Sequence, residues 1–355
     1  MNESLLIPGL SRVNAKPDFT RLRDAVLRTG KSDRLPFLEL FADAEIKQAV
    51  LGRQATNMAD DTEFWLRLGY DCVPAQMGLW FPVSTEPTTD TAGELARAER
   101  SWMTQRTAPV TTWEAFEKCP WPKVDDGALY YVKETQAALP EGMGILLESS
   151  GVLENVMWLM GYEGLSVALY DDPDLVQAMF DRVGGLLLAC YEAAVDFEGV
   201  GGVFFGEDMG FKTSTMISPD AMRKYQFPWL KRIVKVCHEH GKFFVLHSCG
   251  NLEEIMDDLI DDVGIDAKHS YEDAIEPVTS FKKRYGSRIG VIGGVDVDAL
   301  TRMSVEDIRT YVRNILDECA PGGGYALGSG NSVANYISVD NYLAMLEEGW
   351  RYRES

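Results

Sequence analysis

The chain has 355 residues, with 34 basic and 55 acidic side chains and a formal net charge of −21. Its 46% hydrophobic content supports a large core and excludes a disordered chain. The negative charge argues against nucleic acid and against an anionic membrane as partners, since both need a basic surface. No apolar stretch approaches the roughly 20 residues of a spanning helix, and the N-terminus reads as no export signal. Six cysteines, scattered and unpaired in spacing, read as reduced thiols, so a cytoplasmic protein is expected.

In chain order, an N-terminal extension over residues 1–33 precedes a first apolar run, Leu35–Leu40. A second run occupies Tyr70–Ala75. The next stretch, about 76–142, is too long for one crossover. Its Trp80, Phe81, Trp102, Trp113 and Trp121 mark an inserted, partly helical flap or partner surface. Six further runs follow: Met143–Glu148, Gly202–Glu207, Phe243–Ser248, Gly264–His269, Ile289–Gly293 and Gly324–Gly328. Most are continuously apolar, as parallel strands buried on both faces are.

Helical stretches lie between the runs. Asp171–Asp174 with Pro173 opens one toward Ala194, and Ser218-Pro219-Asp220 opens another over Ala221–Glu239 that stops at Gly241. Ser304–Cys319 and Ser338–Trp350 each begin with a capping serine. Strand and helix alternate to the end, which implies right-handed crossovers onto one parallel sheet. Eight strands favour an α/β fold of the (β/α)8 barrel type over residues 34–355, with an open doubly wound sheet as the alternative.

In such a barrel the active site lies at the C-terminal ends of the strands. Those ends carry Glu39, Glu148, Glu207-Asp208, His247-Ser248-Cys249, His269-Ser270, Asp296 and the loop Gly328-Ser329-Gly330-Asn331-Ser332. Desolvating such groups is costly unless something pairs with them. His247 and Cys249, two residues apart just past a buried strand, can point the same way, and imidazole with thiolate suits zinc. Glu207, Asp208 or His269 would complete the set; the plainer reading is a core histidine beside a buried thiol. The five carboxylates cannot all stay ionised in one cavity without a cation, donors or protonation. Alternatively, several turn outward or cap helices. The glycine loop at 328–332 either lets a ligand approach closely or is a tight turn.

The segments DRLPFLELFADAEIKQAVLGR, MISPDAMRKYQFPWLKRI, VLHSCGNLEEIMDDLIDDVGID, IGVIGGVDVDAL and GGGYALGSGNS resemble the uroporphyrinogen decarboxylase superfamily, and within it the cobalamin-dependent methyltransferase-like branch. The resemblance covers about Arg34 to Trp350 and implies a barrel with its cleft at the strand C-termini. True decarboxylases carry an arginine-rich segment near the N-terminus, where this chain reads LELFADAEIKQAVLG, and a GHG-like late turn, where it reads Gly328-Ser329-Gly330. The corrinoid methyltransferases hold zinc with a His-x-Cys pair and a later cysteine. His247 and Cys249 match the pair, and Asn331 stands where the later cysteine falls.

The resemblance therefore implies an enzyme that moves a methyl group between a small substrate (a thiol, or a methoxylated or methylamine compound) and a cobalamin cofactor or corrinoid protein. The site expected for it places Glu148, Glu207, Asp208 and His269 in catalysis. Gly328, Ser329, Asn331 and Asp296 are expected at the cofactor, and His247, Cys249 and Glu207 at zinc. No DxHxxG-like corrinoid motif is present, so the corrinoid is expected on a partner protein. A lyase acting on a small acid, and a non-catalytic tetrapyrrole- or corrinoid-binding protein, are the alternatives. A homodimer is left open.

Overall fold

In the computed structural model, residues 4–30, 32–90, 92, 95–97, 99–104 and 107–352 are described, without the side chain of Trp102. Within them the apolar runs pair as one curled parallel sheet. Its strands are β1 (Cys72–Gln76), β4 (Gly144–Ser150), β5 (Val200–Gly206), β6 (Phe243–His247), β7 (Ala267–His269), β8 (Gly290–Ile292) and β9 (Tyr325–Ala326), in that spatial order. β2 (Thr85–Thr88) and β3 (Arg100–Met103) form a separate antiparallel hairpin.

The first run supplies the eighth barrel position through a single parallel bridge, Phe37 to Leu327. Leu38 N donates to Leu327 O, and Leu327 N to Pro36 O, both at 3.0 Å. Among the described residues no backbone hydrogen bond joins this run to β1. Side chains close that seam: Phe37 meets Tyr70 edge-on at 5.7 Å, and Leu38, Leu40 and Cys72 share one apolar cluster. The chain is a (β/α)8 barrel with one side-chain-sealed joint.

Both faces of each strand are apolar for different reasons. Leu38, Leu40, Cys72, Leu146, Phe204, Phe243, Val245, Ala267, Ile292 and Ala326 fill the barrel interior. Their alternates, such as Val73, Leu147, Phe205, Phe244, Leu246 and Val291, pack against the helices. This two-sided burial is why the sequence shows continuous apolar runs. The N-terminal helix Thr20–Leu27 plugs the floor, adding Leu22, Ala25 and Val26 to the interior cluster. Arg21 and Arg34 fasten that end by pairing with buried Asp71 at 3.0 and 2.7 Å.

The inward alternation also selects the site. Continuing it toward the strand C-termini turns Glu148, His247 and His269 into the mouth, because they share parity with Leu146, Val245 and Ala267.

Two elements differ from the sequence expectation. The helix opened by Ser218 is interrupted: Met222–Gln226 widens into a π-turn before the α-helix Phe227–Glu239. The stretch from Ala75 to Met143 is less of an outsider than its length implies. Its helix Tyr130–Ala138 packs on β1 and β4 as an ordinary crossover helix, and Phe81, Val110 and Val132 lie in the main core. The part that is added is the β2–β3 hairpin with its neighbours. It is clipped to the mouth by Asp43, which pairs with Arg97 at 3.0 Å and Arg100 at 3.1 Å, and by Asn335, which donates to Asp90 at 2.6 Å.

Candidate functional site

β6 and β7 are paired in register with His247 opposite His269. Both rings point inward, and their Nδ1 atoms lie 2.8 Å apart. His269 Nε2 faces the Ser329 carbonyl oxygen at 3.1 Å, so it carries the proton. Burial, and then the His247 charge, hold His269 far below the ordinary histidine pKa, so its ring is neutral and its Nδ1 is an acceptor. His247 Nδ1 must then donate to it. In the neutral ring of His247 the lone pair is thereby left on Nε2, the nitrogen that faces Cys249 Sγ and Asp208 Oδ1, each at 3.5 Å; in the protonated ring the same Nε2 donates toward Asp208. An acceptor that fixes the tautomer from behind is the arrangement found at metal-ligating histidines, and here the His269 ring takes the place usually held by a carboxylate or carbonyl.

Cys249 sits on the turn after β6. Gly250 has φ +79°, and a side chain there would strike the backbone of Gly210, so the turn tolerates only glycine. Cys249 N donates to Asp208 Oδ1 at 2.8 Å. The sulfur receives Asn331 Nδ2 at 3.2 Å and Ser270 Oγ at 3.3 Å. Asp208, His247 and Cys249 thus offer one carboxylate, one imidazole and one sulfur atom within 4.8 Å of one another. These donors suit zinc or another borderline divalent ion. Burial, then the nearby Asp208 charge, push the Cys249 thiol well up, so an incoming ion must displace its proton. Burial also acts to raise Asp208, but His247 and the Cys249 amide hold it down.

Glu207, expected as a metal ligand, is spent elsewhere. It has the outward parity of Val203 and Phe205, and its carboxylate accepts from Val152 N, Leu153 N and Glu154 N at 2.6, 3.2 and 3.0 Å. It therefore caps the helix Val152–Met160, and Asp208 takes the place beside His247. Burial outweighs those bonds and raises Glu207 to about 7. Asp296 likewise caps its own helix, accepting from Asp298 N and Ala299 N, rather than facing the mouth.

Glu39 is fully buried and accepts from Ser329 N at 2.8 Å and Ser329 Oγ at 2.5 Å, with Tyr70 OH at 3.4 Å. Ser329 is consequently a partner of Glu39 inside the wall, and Gly328 is where the chain runs against Leu38 O. Of the residues expected at a cofactor, Asn331 alone touches the cluster. Glu148 is inward on β4, and burial raises it to about 8, with Lys47 opposing. It is a neutral acid at pH 7.

Glu154 and Lys268 were not anticipated, and Ser270 was noted only as a strand-end residue without a role. Ser270 directly follows His269, and its φ of +85° is unusual for a residue with a side chain. Glu154 stands beside Asp208 and Glu207; burial, then those two charges, raise it well above the carboxylate range. Nothing in the helical pattern of its segment distinguishes it. Lys268, between two inward residues, is buried in the helix layer. A lysine inside an apolar strand was the available signal.

Comparison with known proteins identifies the family. The uroporphyrinogen decarboxylase (URO-D) family model matches residues 103–352, and the chain belongs to that family. A methyltransferase from Methanosarcina mazei shares the fold, with a TM-score of 0.72 at 18% identity, covering 94% of this chain and 98% of that one. A protein described as a vitamin-B12 independent methionine synthase from Listeria monocytogenes overlaps at a TM-score of 0.48 and 10% identity, covering 89% and 96%, too loosely to carry an argument. No curated protein matches. Among the described residues no helix is long and apolar enough to cross a membrane.

Proposed function

We propose that this member of the uroporphyrinogen decarboxylase family is a methyltransferase that works with a corrinoid held by a partner protein and a zinc ion held by Asp208, His247 and Cys249. The observation that carries the reading is the three-ligand cluster at the barrel mouth, with Nε2 of His247 directed into it. Zinc bound there would supply Lewis acidity, lowering the pKa of a thiol or polarising a leaving oxygen.

The chain's own groups supply the rest. His269 keeps His247 in the ligating tautomer. Ser270 and Asn331 donate to Cys249 Sγ and so orient the sulfur and stabilise its anionic form. Asn331 occupies the family's later cysteine position as a donor to sulfur rather than as a sulfur ligand. Glu148, neutral at pH 7 and inward on the wall two strands away, is available to give a proton to a departing oxygen or nitrogen. This favours demethylation of a methoxylated or methylamine substrate, although the thiol-methylating direction uses the same cluster. Phe41, Trp80, Phe211 and Tyr336 are exposed on loops that follow the strand C-termini, apolar surface on which a corrinoid protein would dock.

The test is a methyl-transfer assay with zinc-loaded and chelator-stripped protein. Methylcobalamin with a simple thiol probes one direction, and cob(I)alamin with a methoxylated aromatic probes the other. The proposal expects zinc-dependent turnover in at least one direction, and loss of it in Cys249→Ser. Full activity after stripping overturns the metal mechanism. Decarboxylation of a small acid without methyl transfer would assign the lyase reading, and corrinoid affinity without turnover the binding-protein reading.

A further inference from the structure

Lys268 is the middle residue of β7, between inward Ala267 and His269, and so points out of the barrel into the helix layer. It is only 4% exposed. Its Nζ lies 2.5 Å from Ser270 O and 3.4 Å from the carbonyl oxygens of Ser248 and His269, and 4.3 Å from the centre of the Tyr271 ring. Among the described residues it forms no ion pair with a carboxylate. A buried ammonium that touches only carbonyl dipoles and a ring face, with the charges of Glu276, Asp208 and Glu272 acting from longer range, is an expensive arrangement.

Beside it lies a cavity of about 240 Å³. Ser270, Tyr271, Ser280, Phe281, Glu272 and Arg284 are among its walls. The volume falls below the range of drug-sized pockets and suits a small molecule. Its rim is acidic, but most of that charge is committed. Arg284 holds Glu253 at 2.8 Å and Glu276 at 3.0 Å, and Ser280 Oγ donates to the same Glu276 oxygen at 3.2 Å. Glu272 is exposed at the rim. Tyr271, Phe281 and Tyr285 form a row of rings with centres 5.1 and 4.9 Å apart.

We propose that this cavity is a second binding site, for a small organic monocarboxylate with a flat apolar body, distinct from the cluster at the barrel mouth. The carboxylate supplies Lys268 with a touching counter-charge and takes over a donor now spent at 3.4 Å on the carbonyl of Ser248 or His269, and the body lies against Tyr271 and Phe281. A single ammonium matches a single negative charge. A dianion such as phosphate would gain no second cation, because Arg284 is already paired, and would meet Glu272.

The experiment is calorimetric titration of the whole protein with benzoate, beside benzyl alcohol and benzylamine as uncharged and cationic controls. Benzoate should saturate one site, and benzyl alcohol should bind at least about tenfold more weakly. Lys268→Met should weaken benzoate by about tenfold or more. Glu272→Gln, which removes a rim charge, should tighten it about two- to fivefold. Ser280→Phe keeps the lysine and fills the cavity, so it should abolish binding even where Lys268→Met fails to fold. The proposal is overturned by the absence of saturable binding at millimolar benzoate, by equal or better binding of either control, or by unchanged affinity in folded Lys268→Met or Ser280→Phe protein.

Discussion

Two walls of the barrel mouth carry buried polar groups at strand ends, and they use them in opposite ways. On the wall formed by β9 and the first run, Glu39 and Ser329 satisfy each other, and nothing is left over for a ligand. On the wall formed by β5, β6 and β7, Asp208, His247 and Cys249 turn their donor atoms toward one shared point. Glu207 and Asp208 repeat the contrast within two adjacent residues, one closing a helix N-terminus and the other facing His247. A strand-end carboxylate is a ligand candidate only when the backbone around it leaves its oxygens free.

The largest effect should come from the satisfied wall. Glu39 is raised to about 8 by burial, against the bonds from Ser329, whereas an exposed glutamate titrates near 4.5. The folded state therefore holds its proton where the unfolded state has lost it. This contribution is fully present below about pH 4.5 and is lost as pH rises toward 8. Glu39→Gln keeps both partners of Ser329 without the titration. Denaturant unfolding should show wild type losing up to roughly 4 kcal/mol relative to this variant as the medium passes from acid to mildly alkaline. Parallel pH profiles would mean that Glu39 is solvated.

The open wall should respond to metal rather than to pH alone. Cys249→Ser should weaken zinc by about a hundredfold or more, roughly 3 kcal/mol, in competition with a chromophoric chelator, while far-UV circular dichroism stays unchanged. Equal zinc affinity would move the site away from this wall.

The adjacent carboxylates give the next contrast. Glu207→Ala uncaps Val152–Met160 and strands three amides, so metal-free protein should lose about 2–3 kcal/mol of unfolding free energy. Asp208→Ala should cost less than about 1 kcal/mol in metal-free protein but weaken zinc. The reverse pattern would reassign the ligand to Glu207. The smallest effect is a gain: Asn331→Cys should tighten zinc about tenfold, since the amide already lies 3.2 Å from Cys249 Sγ.

Most of the barrel was legible because parallel strands buried on both faces leave long apolar runs, and capped helices leave Ser-Pro and Asp-Pro signals. The first run, Leu35–Leu40, reads as a strand in the sequence but is held by a single bridge at Phe37 and is not a strand of the sheet, because apolar patterning records burial and not backbone pairing. The histidine–cysteine pair was legible because its spacing follows a buried strand. The choice between Glu207 and Asp208 was not, because it depends on which of two neighbours meets the amides of a helix some fifty residues earlier in the chain. The role of His269 needed the register of β6 against β7, which no local pattern records.

The most direct measurement is X-ray absorption at the zinc edge on metal-loaded wild type and Cys249→Ser. A ligand set of Asp208, His247 and Cys249 predicts one sulfur at about 2.3 Å with nitrogen and oxygen neighbours at about 2.0–2.2 Å, and loss of the sulfur shell in the variant. A spectrum with nitrogen and oxygen alone in the wild type, or a sulfur shell that survives the substitution, would contradict it.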